Sequence, residues 1–259
     1  MRLSLSSQLD ALIAPAPDTA RVAFLKGQPY AHRGLHGTQK DGGPLENSPA
    51  AFDAAIKLGH GIECDVQAAE DGTAFVFHDF ELDRLTDRSG KIANLRAEDI
   101  DQIDLNAGHG KIPRLRAILT QIAGRVPILI EIKSDNSRVG PLCLSVRRAL
   151  EGYTGKAAIM SFNPLVSAWF RKNAPHIVRG LVVTEEGQKN LKGRITRHQC
   201  LWAAKPDFLA YDIRDLPSSF AASNHKRGLP VVTWTVRTAE QEKIAGRFAD
   251  EPVYEMPRT

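Results

Sequence analysis

Three cysteines in 259 residues, Cys64, Cys143 and Cys200, are too few and too scattered for a disulfide framework. None belongs to a Cys-x-x-Cys pair or a Cys/His cluster, so a zinc site is not expected either. A reducing compartment is the expectation. The chain also lacks any apolar run approaching the roughly 20 residues of a membrane span. Near the N-terminus Gln8, Asp10, Pro15 and Pro17 interrupt any stretch that could serve as a signal-peptide core. The expected location is the cytoplasm, with no stable membrane anchor. No basic block is present, and a net charge of +4 is slight for this length. Nucleic acid is therefore not an expected partner, whereas a small anionic substrate is compatible with the charge. No Gly/Ser/Pro-rich linker, internal repeat or low-complexity tract divides the chain, and nothing in the pattern sets an oligomeric state.

What the chain does have is a regular alternation. Short apolar runs at 28–32, 61–67, 73–79, 127–133, 157–162, 179–184, 207–213 and 230–236 read as strands. Several are almost continuously apolar and β-branched, as strands covered on both faces should be. The helices between them have legible starts. Ser48 can cap a helix with Pro49 at its first position, and Asn163-Pro164 opens another with Leu165, Val166, Trp169 and Phe170 inward. Thr238 and Gln241 fit a capping box. Leu5, Leu9, Leu12 and Ile13 predict a short amphipathic helix over 3–13 that packs on the domain. The expected organisation is an N-terminal helix and lead-in, 1–27, on one α/β domain, 28–259. About eight strands favour a closed (β/α)8 barrel over an open sheet.

In such a barrel the active site forms at the C-terminal ends of the strands. There this sequence collects His32-Arg33, Glu63 and Asp65, His78-Asp79, and Glu131 and Lys133. Residues i and i+2 of a strand share a face, so Glu63 and Asp65 point one way and Cys64, between them, faces the helices. Three carboxylates converging on a solvent-facing mouth repel each other unless a cation holds them. Oxygen donors select a hard ion such as Mg²⁺, Ca²⁺ or Mn²⁺ over zinc. Arg33 and Lys133 bring positive charge suited to a phosphate, and His32 and His78 are candidates for general acid and base. His36, in the glycine-rich loop 35–45, reads as a solvated loop residue, with lining of the leaving-group pocket as the alternative.

The ordered succession AHRG (31–34), ENS-x₃-F (46–52), GIECDV (61–66), FHD (77–79), LDRLT (82–86), EIK (131–133), SF (161–162) and WTV (234–236) resembles the glycerophosphodiester phosphodiesterases. The resemblance implies a TIM barrel of the phosphatidylinositol-phospholipase-C-like kind. It implies metal ligands at Glu63, Asp65 and Glu131, catalytic histidines at His32 and His78, phosphate contacts at Arg33 and Lys133, and a substrate-side aromatic at Trp234. The implied cofactor is one divalent cation, Mg²⁺ or Ca²⁺ with Mn²⁺ as a further option. The implied reaction is hydrolysis of a glycerophosphodiester to glycerol 3-phosphate and an alcohol, with the glycerol 2-hydroxyl attacking phosphorus first. A lysophospholipase D using the same site is the alternative, and an inert phosphate- or metal-binding barrel a remote one. The tail ADEPVYEMPRT (249–259) departs from the pattern, with Tyr254-Glu255 where a Thr-Asp pair is expected. An irregular closure of the barrel is therefore expected at that end.

Overall fold

Strand length and connection length decide which segments enter the barrel. Among the residues described by the computed structural model (5–37, 42–134 and 136–255), nine strands form one sheet. They are β1 (Tyr30–Ala31), β2 (Gly61–Ala68), β3 (Ala74–Val76), β4 (Ile128–Ile132), β5 (Ala157–Ser161), β6 (Val178–Val183), β7 (Phe208–Asp212), β8 (Val231–Val236) and β9 (Glu251–Tyr254). All but β3 run parallel to their neighbours, and β1 pairs with both β2 and β9, which closes an eight-stranded TIM barrel.

Two strand expectations change. The segment 73–79 is not part of the ring: its strand, β3, lies antiparallel on β2. Only residues 69–73 separate the two, enough for a hairpin, whereas a parallel neighbour needs a crossover of a dozen or more residues. The eighth ring strand is instead β9, four residues carrying Glu251 and Pro252, without the apolar run that marks the others. Closure is complete but irregular, with a register shift between β8 and β9 at Thr233 to Val236.

Around the ring lie α3 (Pro49–Lys57), α5 (Leu115–Ile122), α6 (Gly140–Ala149), α7 (Pro164–Asn173), α8 (Leu191–Ala204), α9 (Ser219–Lys226) and α10 (Ala239–Phe248). The short α4 (Ala97–Ile100) belongs to the excursion after β3, and α1 (Leu5–Ile13) and α2 (Thr19–Val22) precede the barrel. The caps form as expected: Ser48 Oγ accepts from Ala51 N at 3.2 Å, and Asn163 Oδ1 from Leu165 N at 3.0 Å. Thr238 Oγ1 accepts from Gln241 N, but the Gln241 side chain returns to the amide of Arg237 rather than of Thr238.

Period-two alternation sorts the strand side chains. Ile62, Cys64, Val66, Ile128, Ile130 and Ile132 pack outward with Phe52 and Ile118 of the helices. Leu129, Ala158, Met160, Val182, Phe208 and Val232 fill the interior, with Tyr30 and with Val22 and Leu25 of the lead-in closing the N-terminal end. This apolar plug leaves the polar residues of alternate positions at the other end.

The helix α1 reverses the expected orientation. Leu12 is 80 % exposed and Leu9 42 %, while Ser7 and Asp10 are buried at 1 %. Asp10 Oδ1 accepts from Trp202 Nε1 and pairs with His198 Nδ1, both at 2.8 Å, on α8. Hydrogen bonding, not the leucine stripe, orients the helix; residues 3 and 4 of the expected span lie outside the described residues. Leu165 of α7, expected inward, is also exposed. These placements predict that Leu12→Ser changes stability by no more than about 0.5 kcal/mol. Asp10→Ala should cost about 1–3 kcal/mol by leaving two partly buried donors, His198 Nδ1 and Trp202 Nε1, without their acceptor. Urea denaturation of the two variants checks the order.

Candidate active site

The site begins where β1 stops. His32 continues the ladder for one bond, its N–H donating to Tyr254 O at 2.9 Å. The chain then turns through Arg33 (φ 57°) and Gly34 (φ 78°). A left-handed backbone is uncommon for a non-glycine residue, and at Arg33 it aims the N–H at Glu63 Oε2, 3.0 Å away. Gly34 cannot be replaced without movement, because a Cβ there would lie 2.8 Å from Ala51 and Phe52 of α3.

From β2, Glu63 and Asp65 point inward, each 1 % exposed; neither sits at the solvent-facing position expected of it. Glu131 lies directly opposite Asp65 on β4. One carboxylate oxygen from each of the three lies within 4.8 Å of the other two. Asp65 receives the most support: Asn47 Nδ2 at 3.0 Å, Arg33 Nε at 3.2 Å and Lys133 Nζ at 2.9 Å. Lys133 also holds Glu131 at 2.6 Å. Glu63 Oε1, by contrast, is buried with no hydrogen-bond partner among the described residues.

The charges follow from these contacts. Burial, then repulsion by Asp65 and Glu131, pushes the Glu63 carboxyl well above the carboxylate range. Burial raises Glu131 as well, against the pull of Lys133. Burial opposes the charge of Asp65 too, but Lys133 and Arg33 outweigh it and hold that group low. A buried set of three acids, two of them resisting ionisation and one with an orphaned oxygen, fits a hard divalent cation: oxygen donors are what such an ion takes, and its charge would reverse both shifts.

Each histidine is braced through Nδ1. His32 Nδ1 meets Glu255 Oε1 at 2.7 Å, and Arg237 Nε holds the other oxygen of Glu255 at 2.7 Å. His32 Nε2 is 4.0 Å from Glu63 Oε2. Burial is the main influence on the ring and lowers its proton affinity, favouring the neutral form. His78 follows β3, its carbonyl fixed by Gln67 Nε2 at 2.9 Å, and its Nδ1 meets Asp79 Oδ1 at 2.6 Å. Arg84 links Asp79 to Glu46, and Glu46 in turn holds Arg33 at 2.7 Å. Burial works against the charge of Glu46, yet Arg84 and Arg33 draw its carboxyl down to about 2.

The opposite wall is apolar. Trp234 of β8 donates through Nε1 to Ala210 O at 2.9 Å and meets Phe162 edge-to-face at 5.5 Å. Since Phe162 follows β5, this pair reaches across the mouth between strands that are not neighbours. Two clefts open beside Lys133. One, of about 570 Å³, is lined by His78, Phe80, Arg84 and Lys91, and the other, of about 460 Å³, by Gln67, Phe80, Lys91 and Asn136.

The eight residues singled out from the sequence thus fall at one end of the barrel. Glu63, Asp65, Glu131, Arg33 and Lys133 form one contact network, with His32 at its edge, His78 beside the Lys133 cleft and Trp234 on the facing wall. Sequence reading missed the supports Glu46, Asn47 and Glu255. The signal for the first two was the ENS motif; for Glu255 it was an acid standing where an aspartate was expected.

The glycerophosphoryl diester phosphodiesterase family model matches residues 32–252. A glycerophosphodiester phosphodiesterase of Caldanaerobacter subterraneus is 33 % identical over 233 residues, covering 83 % of this chain and 90 % of that protein. Among solved structures, a phosphodiesterase of Oleispira antarctica in complex with the product sn-glycerol 3-phosphate superposes with a TM-score of 0.73 at 21 % identity, covering 89 % of this chain and 93 % of that one. The Thermotoga maritima glycerophosphodiester phosphodiesterase gives 0.69 at 22 % identity, with 88 % and 94 % covered. With the match running from the first histidine into the last barrel strand, the chain belongs to the glycerophosphoryl diester phosphodiesterase family and is an enzyme of that class.

Proposed function

We propose that this protein hydrolyses glycerophosphodiesters to glycerol 3-phosphate and an alcohol. Glu63, Asp65 and Glu131 hold one divalent cation, Mg²⁺ or Ca²⁺, and His32 and His78 move the protons. The observation that carries the reading is the buried carboxylate trio with its unsatisfied oxygen, next to two histidines each braced by an acid. A cation bound there would supply Lewis-acid polarisation of a phosphoryl oxygen.

The protein's own groups divide the remaining work. Glu255 accepts a hydrogen bond from Nδ1–H of His32, so the lone pair is on Nε2, on the side of Glu63. A neutral, buried imidazole in that tautomer is a general base, and His32 accepts the proton of the attacking hydroxyl. His78 is more open, with a side chain 30 % exposed, and it lines the larger cleft. It serves as the acid that protonates the leaving alkoxide as the alcohol departs through that cleft; water then opens the cyclic phosphate left behind, with the two proton transfers reversed, which gives glycerol 3-phosphate and restores both histidines. Arg33 and Lys133 supply positive charge for the non-bridging phosphoryl oxygens. Trp234 and Phe162 offer the carbon skeleton of the substrate an apolar wall.

A second reading has an observation in its favour. Phe162 and Leu165 are 44 % and 43 % exposed at this end of the barrel, an apolar surface suited to the acyl chain of a lysophospholipid. The test is to follow release of glycerol 3-phosphate from a panel of glycerophosphodiesters and, in parallel, of lysophosphatidic acid from lysophospholipids. Lysophospholipid turnover that exceeds glycerophosphodiester turnover would replace the first reading with the second.

Chelation should abolish activity and a divalent ion restore it. Glu63→Gln removes an unfavourable buried charge, so the metal-free variant should melt no lower than wild type. It should, however, lose the metal-induced rise in stability, which for wild type is about 2.7 kcal/mol at 100 times Kd; calorimetry with and without Mg²⁺ reads both. His32→Ala and His78→Ala should each cost about 10²–10⁴-fold in kcat. Glu255→Gln should lower kcat with KM nearly unchanged, because it disturbs the base and not the binding groups. Finally, a substrate lacking the glycerol 2-hydroxyl should turn over negligibly, since attack from within one bound molecule carries an effective molarity of about 10⁵–10⁸ M. Comparable kcat/KM for matched substrates with and without that hydroxyl would mean that water attacks directly.

A further inference from the structure

His36 is a half-buried loop residue, but its Nε2 is shut off from solvent. After the left-handed turn at Arg33 and Gly34, the chain doubles back, and the His36 N–H donates to Gly34 O at 3.0 Å. This return brings a ring nitrogen of His36 within 4.8 Å of one of His32. His36 Nδ1 lies 3.3 Å from Gly37 O. A carbonyl only accepts, so Nδ1 carries the proton and Nε2 the lone pair. That Nε2 is buried, and no described group donates to it. An unsatisfied buried acceptor costs about 1–3 kcal/mol, which gives any electron-pair acceptor of the right size a reason to bind.

Two further donors converge on the same spot. One ligand atom each from His32, His36 and Glu255 lies within 4.8 Å of the other two, and His32 and Glu255 are both buried. The backbone carbonyl at Nδ1 of His36 and the Arg237 guanidinium on Glu255 are the kind of outer partners that orient metal ligands. The chemistry of this set differs from that of the carboxylate trio. Two imidazoles and one carboxylate suit Zn²⁺ or a similar borderline transition ion, while Mg²⁺ and Ca²⁺ prefer all-oxygen sites.

We propose that His32, His36 and Glu255 form a second metal site, selective for a transition ion such as Zn²⁺, whose filling switches the enzyme off. Glu255 already sits on Nδ1 of His32, so Nδ1 is the nitrogen an ion shared with Glu255 would take. A neutral imidazole holds one proton. With Nδ1 bonded to the ion, that proton moves to Nε2, and Nε2 then has no lone pair to accept a proton from the attacking hydroxyl. Inhibition would arise from the wrong tautomer and not from displacement of the activating cation, so extra Mg²⁺ would not relieve it. The inhibitory half rests on the proposed role of His32; the binding half does not.

The experiment is Zn²⁺ titration by calorimetry in saturating Mg²⁺, on wild type and on His36→Ala and His36→Gln. Melting curves establish that both variants are folded. Wild type should bind one Zn²⁺ that Mg²⁺ does not displace. Both variants should bind it more weakly by at least the roughly 10–100-fold seen when even an outer partner of a ligand is lost. Without Zn²⁺ their phosphodiesterase activity should match wild type, and with Zn²⁺ only wild type should be inhibited. Equal Zn²⁺ affinity in wild type and variants, Zn²⁺ fully displaced by Mg²⁺, or no Zn²⁺ binding in wild type would overturn the site. Zn²⁺ bound through His36 without inhibition would overturn the switch. Because the calorimetric arm needs no turnover, an inactive preparation would count against the catalytic reading and leave the binding result intact.

Discussion

Three acidic side chains share the end of one barrel, two of them with almost no access to water, and most of the surrounding architecture answers that repulsion. Arg33 and Lys133 bring the compensating charge, and Asn47 fixes Asp65 from the side. The backbone at Arg33 adopts a left-handed conformation that turns an N–H toward Glu63. Glu46 and Arg84 extend the charge alternation to Asp79 and so to His78. Even so, one oxygen of Glu63 stays without a partner. Low-dielectric surroundings make such an omission expensive, and they make a bound cation correspondingly effective. Stability is given up where the three acids meet, the place that the proposed function gives to a cation.

The mouth divides by strand. β1, β2 and β4 present the charged groups, and β5 and β8 present Phe162 and Trp234. This asymmetry follows from the interior plug. Side chains from Leu129 to Val253 fill the barrel below, so whatever lies one layer higher faces the opening, and only its chemistry differs from strand to strand. A phosphodiester, ionic at its centre and carbon-rich at its flanks, matches that division.

Much of this was legible in the residues. Period-two alternation placed Glu63 and Asp65 together and Cys64 away from them, and Ser48, Asn163 and Thr238 marked helix starts that the hydrogen bonds bear out. These signals are local, so a short window contains them. What was not legible depended on partners distant in sequence. Residues 73–79 had a strand's composition, and only the brevity of the link to β2 spoke against a place in the ring. β9 had almost no strand signal, because Glu251, Pro252 and Tyr254 are chosen by neighbours and not by propensity. The leucines of α1 gave a helical period but the wrong buried face, since Asp10 found two donors on α8. The buried Nε2 of His36 was not legible, because the left-handed turn that folds the chain back leaves no mark in that side chain.

The pairing of β1 with β9 joins residues from opposite ends of the described chain; His32 and Glu255 are 223 positions apart. A chain leaving the ribosome therefore has its carboxylate strands, all complete by residue 133, long before the acid that meets His32. Contacts of such sequence separation form late, after the loop-closure entropy has been met. On the proposed roles, the groups that would hold the ion lie between residues 63 and 131, whereas the tautomer that would take a proton waits for Glu255. Order of synthesis would then separate the two sets, and the closed ring unites them.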